Sequence, residues 1–291
     1  MTNTCGFRRE EDPVRAMTFN LRFENDFDGD NKWGNRCELL AKTILKYGPD
    51  IVGTQEGKPS QLDFLCERLS GYRISAESRR WDHECQYPTL FYLKQSFRFL
   101  EGGEFWLSET PAIHRSKSWD SAFPRMMSYA HLEVRATGQR LWSLVTHLDH
   151  ISERARIEGA KMIRTWAFAR KGAAILVGDF NDSPGSEVHQ VLTLPNGPFL
   201  DTWESLRRQE DEGSYTQHGF TGVGAKGRID WILATPELQV LEASVGRDHE
   251  EGRYPSDHFL YCVDLKLVDR PRPALDIAGT TRAGVKSGSE M

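Results

Sequence analysis

The chain has 291 residues, of which 38% are hydrophobic and 27% are charged, and this length is enough to bury a substantial core. The formal net charge is −5 and no block of five basic residues occurs, which argues against an architectural DNA-binding role. A nucleotide substrate is compatible with this charge, because bound cations can supply positive charge locally. No run of 18 apolar residues occurs, so we expect no membrane-spanning helix.

Residues 14–23 alternate apolar and polar side chains with period two, which predicts the first β-strand. Apolar positions at helical spacing predict a helix over 36–47, where a Gly-Pro pair ends it. A second helix is predicted over 60–69, with Ser60 and Asp63 as its capping residues. Further strands are predicted at 50–56, 90–93, 97–100, 105–108, 129–134, 141–146, 175–180, 228–233 and 260–265, and further helices at 152–170 and 186–193.

Strands outnumber helices in this order and many are consecutive, which favours two packed sheets with helices outside them. No linker or composition shift divides the body, so we expect one domain over residues 14–268. Residues 1–13 and 269–291 lack hydrophobic periodicity, and we expect both to be flexible.

The cysteines predict neither a disulfide framework nor a zinc site. They are odd in number, scattered and never in a CxxC pair: Cys5, Cys37, Cys66, Cys85 and Cys262. The start of the chain is polar where a secretory signal would be apolar. We therefore expect a cytoplasmic location.

Acids, amides and histidines stand at the ends of six predicted strands. They are Asn20, Gln55-Glu56, His147, the pair Asp179 and Asn181, Asp230 beside Arg228, and Asp257-His258. Each has an ordinary structural explanation as a cap, a turn residue or a hydrogen-bonded side chain. Asp230 is the hardest to explain in this way, because an acid inside an apolar run is costly to bury without a partner.

Together these residue types match the needs of phosphate-ester hydrolysis. Carboxylate and amide oxygens suit a hard cation such as Mg²⁺, and Glu56 is the natural ligand. Asn20, Asn181 and His147 can position or polarise phosphate oxygens. A buried Asp230 can orient His258 and raise its basicity, which leaves Asp257 for metal or water. Since no Ser or Cys lies in a recognisable nucleophile motif, direct attack by water is favoured.

The motifs MTFNLRF, GTQE, THLDH, GDFND, GRIDWIL and SDHFL, in this order, resemble those of the endonuclease/exonuclease/phosphatase family, which includes the deoxyribonuclease-I-like nucleases. The resemblance covers residues 14–266. It implies a four-layer α/β/β/α sandwich with the site at one end of the paired sheets. It also implies Mg²⁺ or Mn²⁺ as cofactor and in-line attack by water on a phosphodiester or phosphomonoester.

The resemblance implies a role for each motif residue. Glu56 would be the principal metal ligand, with Asn20 and Asp257 near the metal. Asp179 and Asn181 would align water and phosphate, and His147 would stabilise the phosphate in the transition state. His258, oriented by Asp230, would be the acid/base group, with the identity of the general base left open.

The segments GGEFWLSETP (102–111) and SKSWDSAFPR (116–125) resemble a bacterial subgroup of metal-dependent hydrolases whose substrates are mostly unassigned. In that pattern Arg125 is a candidate phosphate-binding donor, and a surface salt bridge is the equal alternative. We expect Trp106 to pack in the core, and Trp33 and Trp119 to be candidates for lining a pocket.

The sequence departs from the family pattern in two places. Many relatives carry a glutamate that supports the active-site histidine where this chain has Gln86, with Glu84 two residues away. Val145 replaces an asparagine that often precedes the THLDH histidine. The substrate is open between a small sugar phosphate and a nucleic acid, and a catalytically silent binding module is the less favoured alternative. Nothing in the sequence identifies a protein partner.

Overall fold

The computed structural model describes residues 12–76 and 79–268. Their strands are β1 (Val14–Asn20), β2 (Ile51–Gly57), β3 (Tyr72–Ile74), β4 (Tyr87–Leu93), β5 (Phe97–Trp106), β6 (Met126–Val134), β7 (Arg140–His147), β8 (Ala173–Asp179), β9 (Leu200–Asp201), β10 (Asp230–Ala234), β11 (Leu238–Gly246) and β12 (Leu260–Leu267). Their helices are α1 (Trp33–Tyr47), α2 (Pro59–Arg68), α3 (Glu153–Phe168), α4 (Glu187–Leu192) and α5 (Thr202–Ser205), with a 3-10 helix at Asp26–Asn31.

The strands form two six-stranded sheets, in the orders β11-β12-β1-β2-β4-β3 and β5-β6-β7-β8-β10-β9. One apolar cluster contains buried side chains of both sheets, so it is the core between them. A second cluster joins the first sheet to α1 and α2, and a third joins the other sheet to α3 and α4. Each sheet therefore has one face on the central core and one face under helices, which confirms the predicted four-layer α/β/β/α sandwich.

The central core brings the two sheets very close at Gly53 of β2. A Cβ added there would overlap the side chain of Val177 in β8 and would lie 3.0 Å from Cγ2 of Val145 in β7. Val145 is fully buried in this core. Val145, which stands where relatives often have asparagine, therefore packs between the sheets and does not line the cleft.

The pairing of the strands places the site residues at one end of the sandwich. β1 and β2 run parallel in the first sheet, and β7 and β8 run parallel in the second. β10 lies antiparallel to β8, so its first residue lies beside the last residue of β8. The ends of these strands hold the polar residues of the predicted motifs.

Most predicted elements are present with shifted ends. The two predicted strands at 97–100 and 105–108 are one strand, β5, whose pairing with β6 shifts register between Phe99 and Glu101. The predicted caps of α2, Ser60 and Asp63, are wrong. Gln61 caps this helix, because its side-chain oxygen accepts a hydrogen bond of 3.2 Å from the backbone N–H of Lys58. The strands β3, β9 and β11, the helix α5 and the 3-10 helix were not predicted.

The flexible ends predicted at 1–13 and 269–291 lie outside the described residues, apart from the last two residues of the first, and Cys5 lies there too. Within the described ranges the four cysteines are free thiols. The helices of those ranges include none with the length and apolar character needed to cross a membrane.

Candidate active site

Three strand ends of the second sheet place a row of buried polar side chains side by side. His147 of β7 is paired with Asp179 of β8, and Asp179 is paired with Asp230 of β10. Their exposed fractions are 4%, 2% and 1%. Since neighbouring strands lie about 5 Å apart, strand pairing alone brings these three functional groups into contact range.

His258, just before β12, joins this row from the first sheet. Its Nδ1 lies 2.7 Å from Oδ2 of Asp230, and its Nε2 lies 3.9 Å from Oδ2 of Asp179. Burial by itself lowers the pKa of His258, but the charge and hydrogen bond of Asp230 and the charge of Asp179 outweigh it and raise this pKa to about 10. The histidine is therefore held as an imidazolium whose orientation is set by Asp230.

Asp179 is the centre of the site. Its Oδ1 accepts a hydrogen bond of 2.9 Å from the backbone N–H of Asn181, and its Oδ2 accepts one of 2.9 Å from Nδ2 of Asn20. Burial and the neighbouring Asp230 carboxylate raise the pKa of Asp179 to about 7, although the charge of His258 acts in the opposite direction. A carboxyl with such a pKa can accept a proton near neutral pH.

His147 and Asn181 form a second pair beside Asp179. The side-chain Nδ2 of Asn181 donates to the carbonyl of Leu148 at 3.1 Å and lies 3.0 Å from Nε2 of His147. The imidazole Nε2 therefore accepts this hydrogen bond, and the ring proton is on Nδ1. Burial and the charge of Arg125 keep the pKa of His147 well below its usual value, so this ring is neutral.

Glu56 lies on the first sheet, opposite Asp179. The pairing of β2 with β4 shifts register between Thr54 and Gly57, and Glu56 has φ 64°, so a bulge directs its side chain out of the ladder. Its Oε1 accepts from Nδ2 of Asn20 at 3.1 Å, and its Oε2 accepts from the backbone N–H of Phe23 at 3.0 Å. One asparagine thus bridges the carboxylates of both sheets.

The donor set fits a divalent cation. Ligand atoms of Glu56, His147 and Asp179 all lie within 4.8 Å of one another. Asp257 lines the same cleft and lies 4.0 Å from the guanidinium of Arg22. The side-chain oxygen of Asn20 accepts from the backbone N–H of Arg22 at 2.9 Å, so Asn20 supports the carboxylates by donating to them. Clustered carboxylates of this kind are what hard cations bind.

Arg125 is buried inside the cleft, with 7% of its surface exposed, and this contradicts the alternative of a surface salt bridge. Its Nε lies 3.5 Å from Oδ2 of Asp149, and its Nη2 lies 3.2 Å from Nδ1 of His150. Burial lowers the pKa of this guanidinium, and the charges of Asp149, Glu56 and Asp179 act against that effect. The cleft has a volume of about 250 Å³.

The structure thus brings together every predicted site residue. Asn20, Glu56, His147, Asp179, Asp230 and His258 form one chain of polar contacts. Asn181 contacts this chain through His147 and Asp179, and Arg125 and Asp257 line the same cleft.

Sequence reasoning missed several residues of the cleft: Arg22, Phe23, Phe123, His150, Gln217, Lys226 and Ile229. It also missed Asp149, whose buried carboxylate holds Arg125. The THLDH motif contained a signal for two of them, because Asp149 and His150 directly follow the strand end that carries His147.

Trp33 and Trp119 do not line the cleft, although the sequence makes both candidates for a pocket. Trp33 is wrong as a pocket residue, because it is buried in the cluster under α1 and packs edge-on against Phe64. Trp119 does not line the cleft, whereas Trp106 is buried in the core as predicted. Gln86 lines the cleft, whereas Glu84 binds Arg115 at 2.9 Å and does not line it. Glu84 therefore does not replace the glutamate that many relatives carry at the position of Gln86.

Comparison with known proteins supports the geometry. The model of the Endonuclease/Exonuclease/phosphatase family matches residues 17–258. A solved structure of a mannosyl-6-phosphatase from Bacteroides thetaiotaomicron is 29% identical with a TM-score of 0.77, and the match covers 87% of this chain and 100% of that one.

Two curated relatives are also similar. Nocturnin of Xenopus laevis is 25% identical over 82% of this chain and 66% of its own length. Human tyrosyl-DNA phosphodiesterase 2 is 25% identical over 82% of this chain and 65% of its own length. The chain thus spans about two thirds of the length of these curated relatives. With the family model, the fold and the assembled site in agreement, the chain belongs to the Endonuclease/Exonuclease/phosphatase family, as a metal-dependent hydrolase of phosphate esters.

Proposed function

We propose that this hydrolase acts on a small phosphomonoester, a sugar phosphate, in the cytoplasm. The observation that carries the proposal is the form of the cleft, a space of about 250 Å³ that the buried Arg125 lines. A terminal phosphate is small enough to reach this guanidinium, which matches phosphate oxygens with two parallel donors. The bacterial mannosyl-6-phosphatase neighbour, matched over its full length, supports the same substrate class.

A polynucleotide substrate is the second candidate, supported by the similarity to tyrosyl-DNA phosphodiesterase 2. Binding of nucleic acid depends on several Lys and Arg contacts to phosphates. The described cleft offers Arg125, Lys226 and Arg22, and Arg22 is engaged by Asp28 at 2.8 Å. The net charge of −5 also disfavours a long nucleic-acid track. We therefore favour the small substrate.

The metal site is proposed at Glu56 and Asp257, with Asn20 holding Glu56 in place. When bound there, Mg²⁺ or Mn²⁺ would neutralise phosphate oxygens and polarise the phosphorus centre. The all-oxygen carboxylate set favours Mg²⁺ over softer ions. The carboxylates of Glu56 and Asp179 would otherwise repel each other, and Asn20 already lowers that repulsion by donating to both.

The residues around Asp179 supply the proton chemistry in our proposal. Asp179 aligns the attacking water, because its carboxylate is fixed by Asn20 and by the backbone of Asn181. Arg125 binds the non-bridging phosphate oxygens. His147 and Asn181 line the same cleft, and their mutual hydrogen bond must open before either can donate to phosphate, because Asn181 donates its two N–H groups to Leu148 and to Nε2 of His147. His258 is fixed through Nδ1 by Asp230, and its Nε2 is the N–H available to the phosphate or the leaving oxygen.

A substrate panel tests this proposal. The purified chain is incubated with hexose 6-phosphates, bis-p-nitrophenyl phosphate, single-stranded DNA and RNA, each with Mg²⁺, Mn²⁺ or chelator. We expect chelator-sensitive release of inorganic phosphate from a hexose phosphate and the highest kcat/KM for that class. Preferred cleavage of DNA or RNA would establish the second candidate, and no turnover on any substrate would contradict hydrolase function.

A further inference from the structure

Two aromatic rings that line the cleft are stacked on each other. The rings of Phe123 and His150 have centroids 5.6 Å apart and an interplanar angle of 22°. Both line the cleft, and half of the surface of Phe123 is exposed. The guanidinium carbon of Arg125 also lies 5.8 Å from the centroid of the phenyl ring. The exposed half of Phe123 is apolar ring surface that a ligand in the cleft can contact.

The contact with Arg125 determines the hydrogen-bonding state of His150. A guanidinium can only donate, so Nδ1 of His150 accepts from Nη2 of Arg125 at 3.2 Å. The imidazole proton is therefore on Nε2. Burial and the charge of Arg125 lower the pKa of His150 and keep the ring neutral. His150 thus offers one N–H donor next to an exposed apolar ring face.

Asp149 holds the two segments that carry these rings. Its Oδ2 accepts from the backbone N–H groups of Ala122 at 3.0 Å and Phe123 at 3.4 Å. Its Oδ1 accepts from the backbone N–H groups of Ile151 at 3.1 Å and Ser152 at 2.8 Å. One carboxylate of 1% exposure therefore fixes the 121–123 loop against the 149–152 turn.

The surroundings of the ring pair are polar and supply further donors. Gln217 and Lys226 line the same cleft. The charge of Lys226 is close enough to His150 to affect its titration. An exposed aromatic ring with N–H donors around it suits a ligand that has apolar C–H groups on one side and hydroxyl groups at its edge.

We propose that Phe123 and His150 determine substrate specificity by binding the sugar ring of the leaving group, with the phenyl face against the C–H face of the sugar and Nε2–H of His150 bound to a hydroxyl. This inference rests on the proposed sugar-phosphate function and assigns the residues that would recognise the sugar. Asp149 is a positioning residue for this platform, since its carboxylate is already fully engaged by the protein.

The experiment compares two primary alkyl phosphates, a hexose 6-phosphate and ethyl phosphate, which share the scissile bond and differ in the ring. The variants are Phe123→Ala, His150→Ala and His150→Gln, because glutamine can both accept from Arg125 and donate an N–H. Ile151→Ala is the matched control, since that side chain is 68% exposed and does not line the cleft. Circular dichroism checks the fold of each variant.

We expect Phe123→Ala and His150→Ala each to lower kcat/KM for the hexose phosphate by about tenfold, mainly through KM, the size that loss of one aromatic contact predicts. Ethyl phosphate should change by less than about twofold in Phe123→Ala and in His150→Gln, which keep an acceptor for Arg125, and His150→Gln should recover part of the loss on the hexose phosphate. Ile151→Ala should resemble the wild type with both substrates.

Failure of the specificity role and failure of the proposed function give different results. Equal losses on both substrates would overturn the specificity role and leave sugar-phosphate hydrolysis intact. A larger loss on nucleoside 5′-monophosphates than on hexose phosphates would also overturn it and would assign the ring face to a nucleobase. A wild-type enzyme that neither hydrolyses nor binds hexose phosphates, by saturation-transfer NMR, would contradict the proposed function and the inference together.

Discussion

Nδ1 of His258, which lines the cleft, lies 2.7 Å from Oδ2 of Asp230, and this contact joins the two sheets. Asp230 begins β10 in one sheet, and His258 precedes β12 in the other. Asp230 has 1% exposure and its second oxygen has no protein partner among the described residues. The pair therefore acts as a buried unit in which the carboxylate stabilises the charged imidazole.

The first prediction concerns Asp230→Asn. Because the Asp230 carboxylate helps to raise the pKa of His258 to about 10, its removal should lower that pKa. If the protonated His258 is the active form, activity is lost as pH rises through this pKa, so the alkaline limb of kcat should move to lower pH. We also expect kcat to fall by at least about tenfold, which is less than the contribution of about a hundredfold or more that general acid–base catalysis makes, because His258 itself is still present.

The measurement is kcat from pH 6 to 10 for wild type, Asp230→Asn and the control Asp264→Asn. Asp264 pairs with Arg15 at 2.7 Å and does not line the cleft. An unchanged alkaline limb in Asp230→Asn would contradict the role assigned to the pair.

The second prediction concerns metal binding. Glu56→Gln removes the carboxylate that Asn20 and the backbone of Phe23 orient. We expect it to weaken Mg²⁺ binding by about tenfold or more, at least as much as loss of a supporting residue around a metal. Isothermal titration calorimetry measures this without reference to turnover, and chelator should abolish activity of the wild type.

Glu84→Gln is the matched control for Glu56→Gln, because Glu84 binds Arg115 away from the cleft. Its affinity for Mg²⁺ should equal that of the wild type. If Glu56→Gln also binds Mg²⁺ as the wild type does, Glu56 is not a ligand.

The strand-end residues of the site were predictable because each stands where an apolar strand begins or ends. Strand pairing then brings these side chains together, since Asp179 is the register partner of both His147 and Asp230. The loop residues were not predictable. Phe123 and His150 meet because the Asp149 carboxylate binds groups 26 to 28 positions earlier in the chain, the Ser121 hydroxyl and the backbone N–H groups of Ala122 and Phe123.

The errors in the fold have similar causes. The strand β11 was missed because a register shift between Val240 and Glu242 interrupts its alternation. Trp33 was assigned to a polar loop, but the helix α1 begins at this residue and turns its ring toward Phe64. Local composition indicates polarity, and only the packing of neighbouring elements decides which side chains are covered.

The third prediction is that Asp149→Asn destabilises the protein. The amide keeps one acceptor oxygen, but its NH₂ group must face donors such as Ala122 N–H and the guanidinium of Arg125. We expect the free energy of unfolding to fall by about 1.5–3 kcal/mol, the value of hydrogen bonds to a charged group. Urea denaturation at pH 7 measures it.

The same variant should show a pH dependence. Burial raises the pKa of Asp149, but hydrogen bonds from Ser152, Ala122 and Ile151 and the charge of Arg125 outweigh it and hold this pKa well below its usual value. Such a group stabilises the folded state above its unfolded pKa of about 3.9 and loses that contribution as pH falls below it. The difference between wild type and Asp149→Asn should therefore be constant from pH 7 to 5 and shrink below pH of about 4. A difference that grows on acidification would contradict this assignment.

The last prediction uses the close approach of the sheets at Gly53. In Gly53→Ala the new methyl group would overlap Val177 and press on Val145, so the sheets must separate or the side chains must leave their preferred rotamers. We expect a loss of about 1–3 kcal/mol in the free energy of unfolding, and partial recovery in Gly53→Ala/Val177→Ala. Separation should also reduce kcat, because Asn20 of one sheet binds Asp179 of the other at 2.9 Å. Gly34→Ala is the control, since a Cβ there meets no atom within 4 Å. If Gly53→Ala and Gly34→Ala both have the stability of the wild type by urea denaturation, the inter-sheet contact at Gly53 is not tight enough to position the site.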